Sequence, residues 1–362
     1  MIKSIKIFLL ALMMLSPLIS NAKNISEFEE EVSKLDFKEQ KKIFNKYMNS
    51  SGNKKSTYPL LGYMYYNGYG VSKNRTAAIN IYQRLVADDS KVGYYLLGRH
   101  YIETNTDISK GLSYLISASD ANLVEATLFI GKIYKEGIGV SKDDYYSTEY
   151  YYKAAKMGST EAKFIIAQDL VNSIEVAEIK KGLVLLTEAA DNKNSDACRQ
   201  LKDLYITKNN ILKQDANKHF NYLLCLADNG DLESIRTVAE YYSKGIIVMI
   251  DNKSAYDYYK KYIIKVTDPK TEEDKDVYYK SAISSIKLKK YSEAAALLKI
   301  ISAKEHSAAS NILGRLYEDD FLGRPNLKLS LKYYELSKEQ GFENDNDISR
   351  VKKNLLEKEK NK

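Results

Sequence analysis

The chain has 362 residues, with 55 Lys and Arg against 48 Asp and Glu, and it contains 31 Tyr, three His, two Cys and no Trp. A formal charge of +7 is mild and lies partly in a Lys-rich C-terminal tail, which is not the concentrated basic stripe that nucleic-acid binding predicts. Two cysteines exclude a disulfide-built scaffold, and three scattered histidines exclude a zinc site of several converging ligands.

Residues 1–22 read as a secretory signal peptide. Lys3 and Lys6 precede an unbroken apolar run from Ile7 to Leu15, and Ser20-Asn21-Ala22 supplies small residues for cleavage. The run is shorter than the roughly 20 apolar residues a transmembrane anchor needs. The expectation is a mature chain starting near Lys23 that spans no membrane and is periplasmic or secreted in a Gram-negative bacterium. Residues 23–54 hold Phe28, Val32, Leu35, Phe37, Ile43, Phe44 and Tyr47 among many charges, which predicts N-terminal capping helices.

From residue 55 to 345 one pattern recurs. Leu61 to Val71 reads LGYMYYNGYGV, and Ile130 to Val140 reads IGKIYKEGIGV. Its Gly position is tracked at Gly62, Gly98, Gly131, Ala167, Lys202, Ala239, Ala282 and Gly314, at intervals of 32 to 43 residues. In the stronger copies an aliphatic residue precedes that position and Tyr follows three later, as in Leu97-Gly98 with Tyr101 and Ile130-Gly131 with Tyr134. Residues i and i+4 share a helix face, and the small residue between them lets a neighbouring helix approach closely. Ala118, Ala154-Ala155, Ala189-Ala190 and Ala227 mark a second helix, so each unit is an αα-hairpin. A repeat array buries its core between neighbours, so the length of the chain is no argument for two domains.

The Gly68-Tyr69-Gly70 and Gly137-Ile138-Gly139 segments follow helices. They read as positive-φ turns that let Val71 and Val140 tuck back, and not as phosphate loops, which follow strands. Between Val266 and Asp276 the spacing lengthens around Pro269, which reads as an exposed loop or a slight break between two sub-arrays. Residues 346–362 form a C-terminal capping helix and Lys-rich tail, with Asp347 as N-cap and Ile348, Val351, Leu355 and Leu356 at helical spacing.

These residues resemble the Sel-1-like repeat family, a relative of the tetratricopeptide repeat. Its pattern A-x-x-x-L-G-x-x-Y-x-x-G-x-G-V, with a later Y-x-K-A-A-x-x-G, is nearly complete from Ala126 to Gly158. The first and eighth copies are close to it, the second, fourth and fifth lack the G-x-G-V loop, the sixth keeps only Gly245 of it in Gly-Ile-Ile-Val, and the seventh is more like an ordinary tetratricopeptide hairpin. The resemblance implies an all-α fold, a right-handed α-solenoid of about eight αα-hairpin repeats with terminal caps.

In the related tetratricopeptide repeat, positions three before, one after and four after the Gly line an inner groove. Carried onto this chain, the protein-binding groove comprises Tyr63, Tyr66, Tyr95, Arg99, Lys132, Lys135, Phe164, Gln168, Arg199, Asp203, Arg236 and Glu240. Tyr and Arg are enriched at interface hot spots, and the aromatic and basic N-terminal half suits a protein ligand of acidic character. Cys198 falls early on the first helix of repeat five and Cys225 late on its second, at the same end of one hairpin. A disulfide closing that hairpin is one reading, and two unpaired small buried side chains are the other.

His100, His219 and His306 fall in separate repeats, and Glu29-Glu30-Glu31 and Asp143-Asp144 read as solvated charges. The chain is therefore expected to be no enzyme, to need no cofactor or metal, and to bind a protein. Sel-1-like proteins outside the cytoplasm resemble adaptors, and some are immunity proteins that neutralise type VI secretion phospholipases in the periplasm. The partner implied is a secreted toxin or an envelope protein. The alternative role is a cell-envelope regulatory adaptor or a host-interaction factor.

Overall fold

The computed structural model describes residues 23–49, 54–207 and 212–360. The signal-peptide reading of residues 1–22 lies outside them. Among the described residues every regular element is helical. A cap of α1 (Lys23–Ser33) and α2 (Phe37–Asn49) precedes eight hairpins: α3 (Lys54–Asn67) with α4 (Arg75–Ala87), α5 (Lys91–Glu103) with α6 (Ile108–Asp120), α7 (Val124–Glu136) with α8 (Asp144–Lys156), and α9 (Thr160–Val171) with α10 (Val176–Asp191). Then come α11 (Ser195–Ile206) with α12 (Ala216–Asp228), α13 (Leu232–Lys244) with α14 (Asn252–Lys265), α15 (Glu272–Lys287) with α16 (Tyr291–Ser302), and α17 (Ser307–Glu318) with α18 (Leu327–Glu339). Helix α19 (Asp345–Lys360) follows the last hairpin. The fold is a helical-hairpin solenoid.

Short polar residues fix where the second helix starts in hairpins one, two, three, five, six and eight. Asn74, Asp107, Asp143, Asp215, Asp251 and Asn326 each accept a hydrogen bond from a first-turn backbone N–H. Each such cap stabilises by about 1 kcal/mol. Asp143, read from sequence as a solvated charge, thus also starts α8.

Two aromatic devices then join the helices of a hairpin. At the recurring Gly a ring of the second helix lies against the first-helix backbone: a Cβ on Gly131 would stand 2.8 Å from Tyr151, and one on Gly314 would stand 2.7 Å from Tyr334. Three residues on, the first-helix Tyr stacks on a second-helix Tyr. The pairs are Tyr101–Tyr114, Tyr134–Tyr150, Tyr205–Tyr222, Tyr242–Tyr258 and Tyr317–Tyr333, with centroids 5.6 to 6.1 Å apart. Such pairs are worth about 1 kcal/mol beyond their buried area. Much of the tyrosine content is therefore architecture.

The chain divides between Ala189 and Ala190 into two compact units. This falls near the end of α10, not at Val266–Asp276 where a break between sub-arrays was one reading. The segment before Glu272 is a connection tied at both ends. Thr271 and Asp274 form a capping box, and the Tyr278 hydroxyl donates to the Val266 carbonyl at 2.7 Å.

In the first unit α2 stands where a second helix would precede the first hairpin. Gln40 is buried and donates to the carbonyls of Val32 and Leu35, while its Oε1 accepts from Gly70 N–H at 3.1 Å. The cap and the first Gly-x-Gly loop are thereby one hydrogen-bonded piece. Val32, Ile43 and Phe44 pack with Leu61 and Met64, whereas Phe37 is exposed.

In the second unit Cys198 and Cys225 are joined as a disulfide, with Cα atoms 6.3 Å apart. At its end, Ile348 and Val351 are buried against Tyr334, while Leu356 is exposed and contributes no cover. Asp347 is not the N-cap that the sequence suggested. The helix begins two residues earlier, at Asp345, and Asp347 lies in its first turn paired with Arg350.

Candidate functional site

The first helices of hairpins one and two, α3 and α5, pack beneath the cap helix α1 and leave a cavity of about 60 Å³. A water needs roughly 15 Å³ measured this way, so the space suits a few waters or one small polar head group. Its walls are Tyr63, Tyr66 and Asn67 from α3, Leu96, Arg99, His100 and Glu103 from α5, Tyr82 from α4 and Glu29 from α1.

Arg99 dominates the site. Its Nε and Nη2 donate to Glu103 Oε1 at 2.9 and 2.7 Å, and Nη1 donates to the Tyr95 hydroxyl at 3.4 Å. The guanidinium also lies 5.6 Å from the Tyr95 ring centroid and 5.8 Å from that of Phe129. Burial opposes its charge, but Tyr95 and Glu103 outweigh that and raise its pKa above the ordinary arginine value. The result is a rigid cation held by rings, with a quarter of its side chain (25%) exposed.

The tyrosines around it are held neutral. Burial raises Tyr63, reinforced by a hydrogen bond with the Glu29 carboxylate. Burial also raises Tyr66 and Tyr82. The Tyr66 hydroxyl lies 3.3 Å from His100 Nδ1, and Arg75 lies 5.4 Å from the centre of the Tyr66 ring. Burial first, and then the charge of Arg75, lower the His100 pKa, so its ring favours the neutral form. Hydroxyls, an imidazole and a guanidinium thus face one small space, and two carboxylates, Glu29 and Glu103, already occupy its edge.

Of the twelve groove residues expected from sequence, eight lie in the first unit and four in the second. Tyr63, Tyr66 and Arg99 meet at the cavity, with Tyr95 beneath Arg99. Tyr63 and Tyr95 are both buried in the core cluster that Ile25 of the cap shares, Tyr63 also bordering the cavity and Tyr95 lying under Arg99. Lys132 pairs with Glu136 at 3.8 Å, and Lys135 lies 3.5 Å from Asp144 and 3.9 Å from Asp169. Phe164 is half-buried and Gln168 exposed on α9.

In the second unit the corresponding residues are paired. Arg199 meets Asp196, Asp203 meets Lys202, Arg236 meets Glu273, and Glu240 accepts from both Lys280 at 2.7 Å and Lys244 at 3.2 Å. The other two histidines serve locally: His219 Nδ1 lies 2.9 Å from the Lys202 carbonyl, and His306 caps α17 through Ala309 N–H.

Sequence reasoning missed Glu29, Tyr82, His100 and Glu103 as walls of one site. His100 and Glu103 sit two and five residues after Gly98, outside the positions carried over, and Glu29 lies in a cap that has no repeat register. A second, wider concavity of about 450 Å³ runs beside α8, lined by Tyr145, Tyr146, Tyr150 and Tyr152 with Glu149, Lys153 and Lys156. Among the described residues no group of three or more His, Cys, Asp and Glu could hold a metal ion. No described helix is long and apolar enough to cross a membrane.

The Sel1 repeat family matches residues 60–88, 90–123, 124–159, 235–261 and 307–342, which are hairpins one, two, three, six and eight. No curated protein matches the chain. Solved structures similar to it include a Sel1 repeat protein from Oxalobacter formigenes, at 19% identity over 62% of this chain and 92% of that one, with a TM-score of 0.42. Another is c5321, a protective antigen of uropathogenic Escherichia coli strains displaying an SLR fold, at 15% identity over 91% and 90% of the two chains, TM-score 0.34. A third is the immunity protein Pa5087 of Pseudomonas aeruginosa, at 14% identity over 69% and 81%, TM-score 0.30. These likenesses carry no argument about role.

Proposed function

We propose that this chain, which carries five Sel1 repeats, is an exported, non-enzymatic scaffold that binds a protein through the first unit. The observation that carries the reading is Arg99, fixed between the rings of Tyr95 and Phe129 with its edge open to solvent. A pre-ordered Arg loses little entropy on binding, and Arg and Tyr beside a small cavity are the composition of an interface hot spot. The partner presents a carboxylate, which takes the place of Glu103 on the guanidinium. Because Glu103 is on the surface, giving up its contact costs less than the bidentate pair returns.

Within that reading the partner is a toxic effector delivered to the periplasm, of the phospholipase type that Sel-1-like immunity proteins neutralise. The support is the export-signal pattern of residues 1–22 together with the resemblance. The test is a pull-down from envelope and effector proteins with the wild type and the Arg99→Lys variant. Lys keeps the charge but loses the planar fork, so binding should fall about tenfold or more. Equal binding by Arg99→Lys would remove the site. Growth protection against the captured effector separates immunity from an envelope-adaptor role.

A further inference from the structure

Three hairpins share one loop, and only one of them is apolar at its tip. After α3 the chain reads Gly68-Tyr69-Gly70-Val71-Ser72-Lys73-Asn74, and after α7 it reads Gly137-Ile138-Gly139-Val140-Ser141-Lys142-Asp143. After α13 it reads Gly245-Ile246-Ile247-Val248-Met249-Ile250-Asp251. The backbones correspond. The first and third residues have φ of 82° and 67°, 73° and 72°, and 72° and 66° in the three loops. Each loop ends on an N-cap whose N–H donates to the carbonyl of a first-helix Tyr: Asn74 to Tyr65, Asp143 to Tyr134 and Asp251 to Tyr242.

Two departures in the third loop oppose what the turn requires. Ile247 is β-branched yet sits at φ 66°, a conformation that glycine adopts freely in the other two loops. Its side chain and that of Val248 pack against the second-unit core, which holds the strained turn in place. Outside, the Ser-Lys tip is replaced by Met249 and Ile250, which are 84% and 63% exposed, with Ile246 beside them at 40%. The fold does not call for this, since two sister loops make the same turn with Ser-Lys.

We infer that the 245–251 loop is an insertion tip that docks the protein on an anionic bilayer surface. A few apolar side chains reach past the head groups, and cations around them meet the anionic lipids. The cations are on the page. Lys244 and Lys253 flank the tip with side chains 54% and 79% exposed; the Lys253–Asp257 pair is a surface contact that a charged interface readily exchanges, whereas Lys244 also leans on the partly buried Glu240. The turn between α15 and α16 adds Lys289 and Lys290, the latter 3.8 Å from the ring centroid of Tyr256, near the start of the α14 helix that the loop leads into. An isolated apolar tip would suit a protein pocket equally well, but the surrounding lysines favour a lipid surface. This inference is independent of the Arg99 site, which lies in the other unit.

The chain has no Trp, so Met249→Trp places a single reporter at the tip. With phosphatidylglycerol-rich vesicles the emission of the full chain should shift to the blue and be quenched by brominated acyl chains. Phosphatidylcholine vesicles should give a much weaker response. Tyr145→Trp, exposed on α8, is the control and should not shift; residues 1–22 are common to both proteins. Restoring the sister sequence with Met249→Ser and Ile250→Lys should lower co-sedimentation with the anionic vesicles about tenfold or more, with the fold preserved. No shift of the tip reporter, an equal shift of the control, or undiminished sedimentation of the Ser-Lys variant each overturns the inference. So does a shift that grows with protein concentration in the absence of lipid, which would make the tip a contact between copies.

Discussion

The first helices of hairpins one and two and that of hairpin six use the same register positions for opposite ends. In the first unit those positions bring Tyr63, Tyr66 and Arg99 to a cavity, with rings holding the cation and part of the guanidinium open. In the second, Arg236 and Glu240 on α13 reach across to Glu273 and Lys280 on α15 and bind the two helices together. A repeat position therefore has no fixed role. Its chemistry follows from whether the next first helix offers an opposite charge or an aromatic ring.

The largest effect we expect comes from the rings at the heart of each unit. Tyr82 and Tyr259 are both fully buried, and replacing either by Ala should cost about 3–5 kcal/mol in urea titrations. The two variants separate stability from recognition. Tyr82 also lines the cavity, so Tyr82→Ala should lose partner binding even where the chain remains folded. Tyr259→Ala should lose binding only in proportion to unfolding; a specific loss there would move recognition to the second unit.

Next in size is the disulfide, which closes a loop of 27 residues in sequence separation and occurs only in the second unit. Replacing Cys198 and Cys225 together by Ala should destabilise that unit by roughly 3 kcal/mol on the chain-entropy account. Proteolysis or hydrogen exchange should place the loosening around α11 and α12, with α3 to α6 unchanged. Uniform loosening of both units would show that they unfold as one.

Against these, Tyr66→Ala with Arg99→Ala should leave the far-ultraviolet circular dichroism nearly unchanged, since both side chains are partly exposed. Partner affinity should nevertheless fall by about 2 kcal/mol or more. Tyr95 is unsuitable for this test because it is buried, and its loss would confuse folding with binding. The matched pair Arg236→Ala and Glu240→Ala should bind normally. Should the first pair bind normally and stay folded, the tyrosine face of α8 becomes the recognition surface.

What the sequence made legible is what repeats. The Gly, and the Tyr three residues later, recur because each hairpin solves the same packing problem, so Gly131 against Tyr151 and Tyr134 on Tyr150 could be anticipated in kind. Register also picked out Arg99 and Tyr66, which both border the cavity. What could not be read was anything fixed by a neighbour outside the pattern. Tyr63 is buried because a non-repeating cap lies over the first hairpin, and Glu29 reaches the site from that cap. The strained Ile247 was hidden for another reason, since a lost glycine predicts a lost turn, whereas core packing of Ile247 and Val248 retains it.

The smallest effect is the most direct check on the cross-brace. Burial pushes the Glu240 carboxyl up, but hydrogen bonds from Lys280 and Lys244 outweigh it and hold its pKa below the ordinary 4.5. A depressed acid contributes stability that is complete above its unfolded value and is lost as pH falls through the folded one. The contribution of Glu240 should therefore be present at neutral pH, begin to fall near pH 4.5 and vanish only below its depressed folded value. Its side chain is only 24% exposed, yet the lysines that pair with it remain open to solvent, so the contribution should be about 1 kcal/mol or less. Glu240→Gln should accordingly lower the neutral-pH stability of the second unit slightly, and added salt should narrow the difference from wild type. The two proteins should converge in acid, where Glu240 is protonated. If the gap instead persists in acid and in salt, the cost of the variant lies in packing, and Glu240 is not a charged brace between α13 and α15.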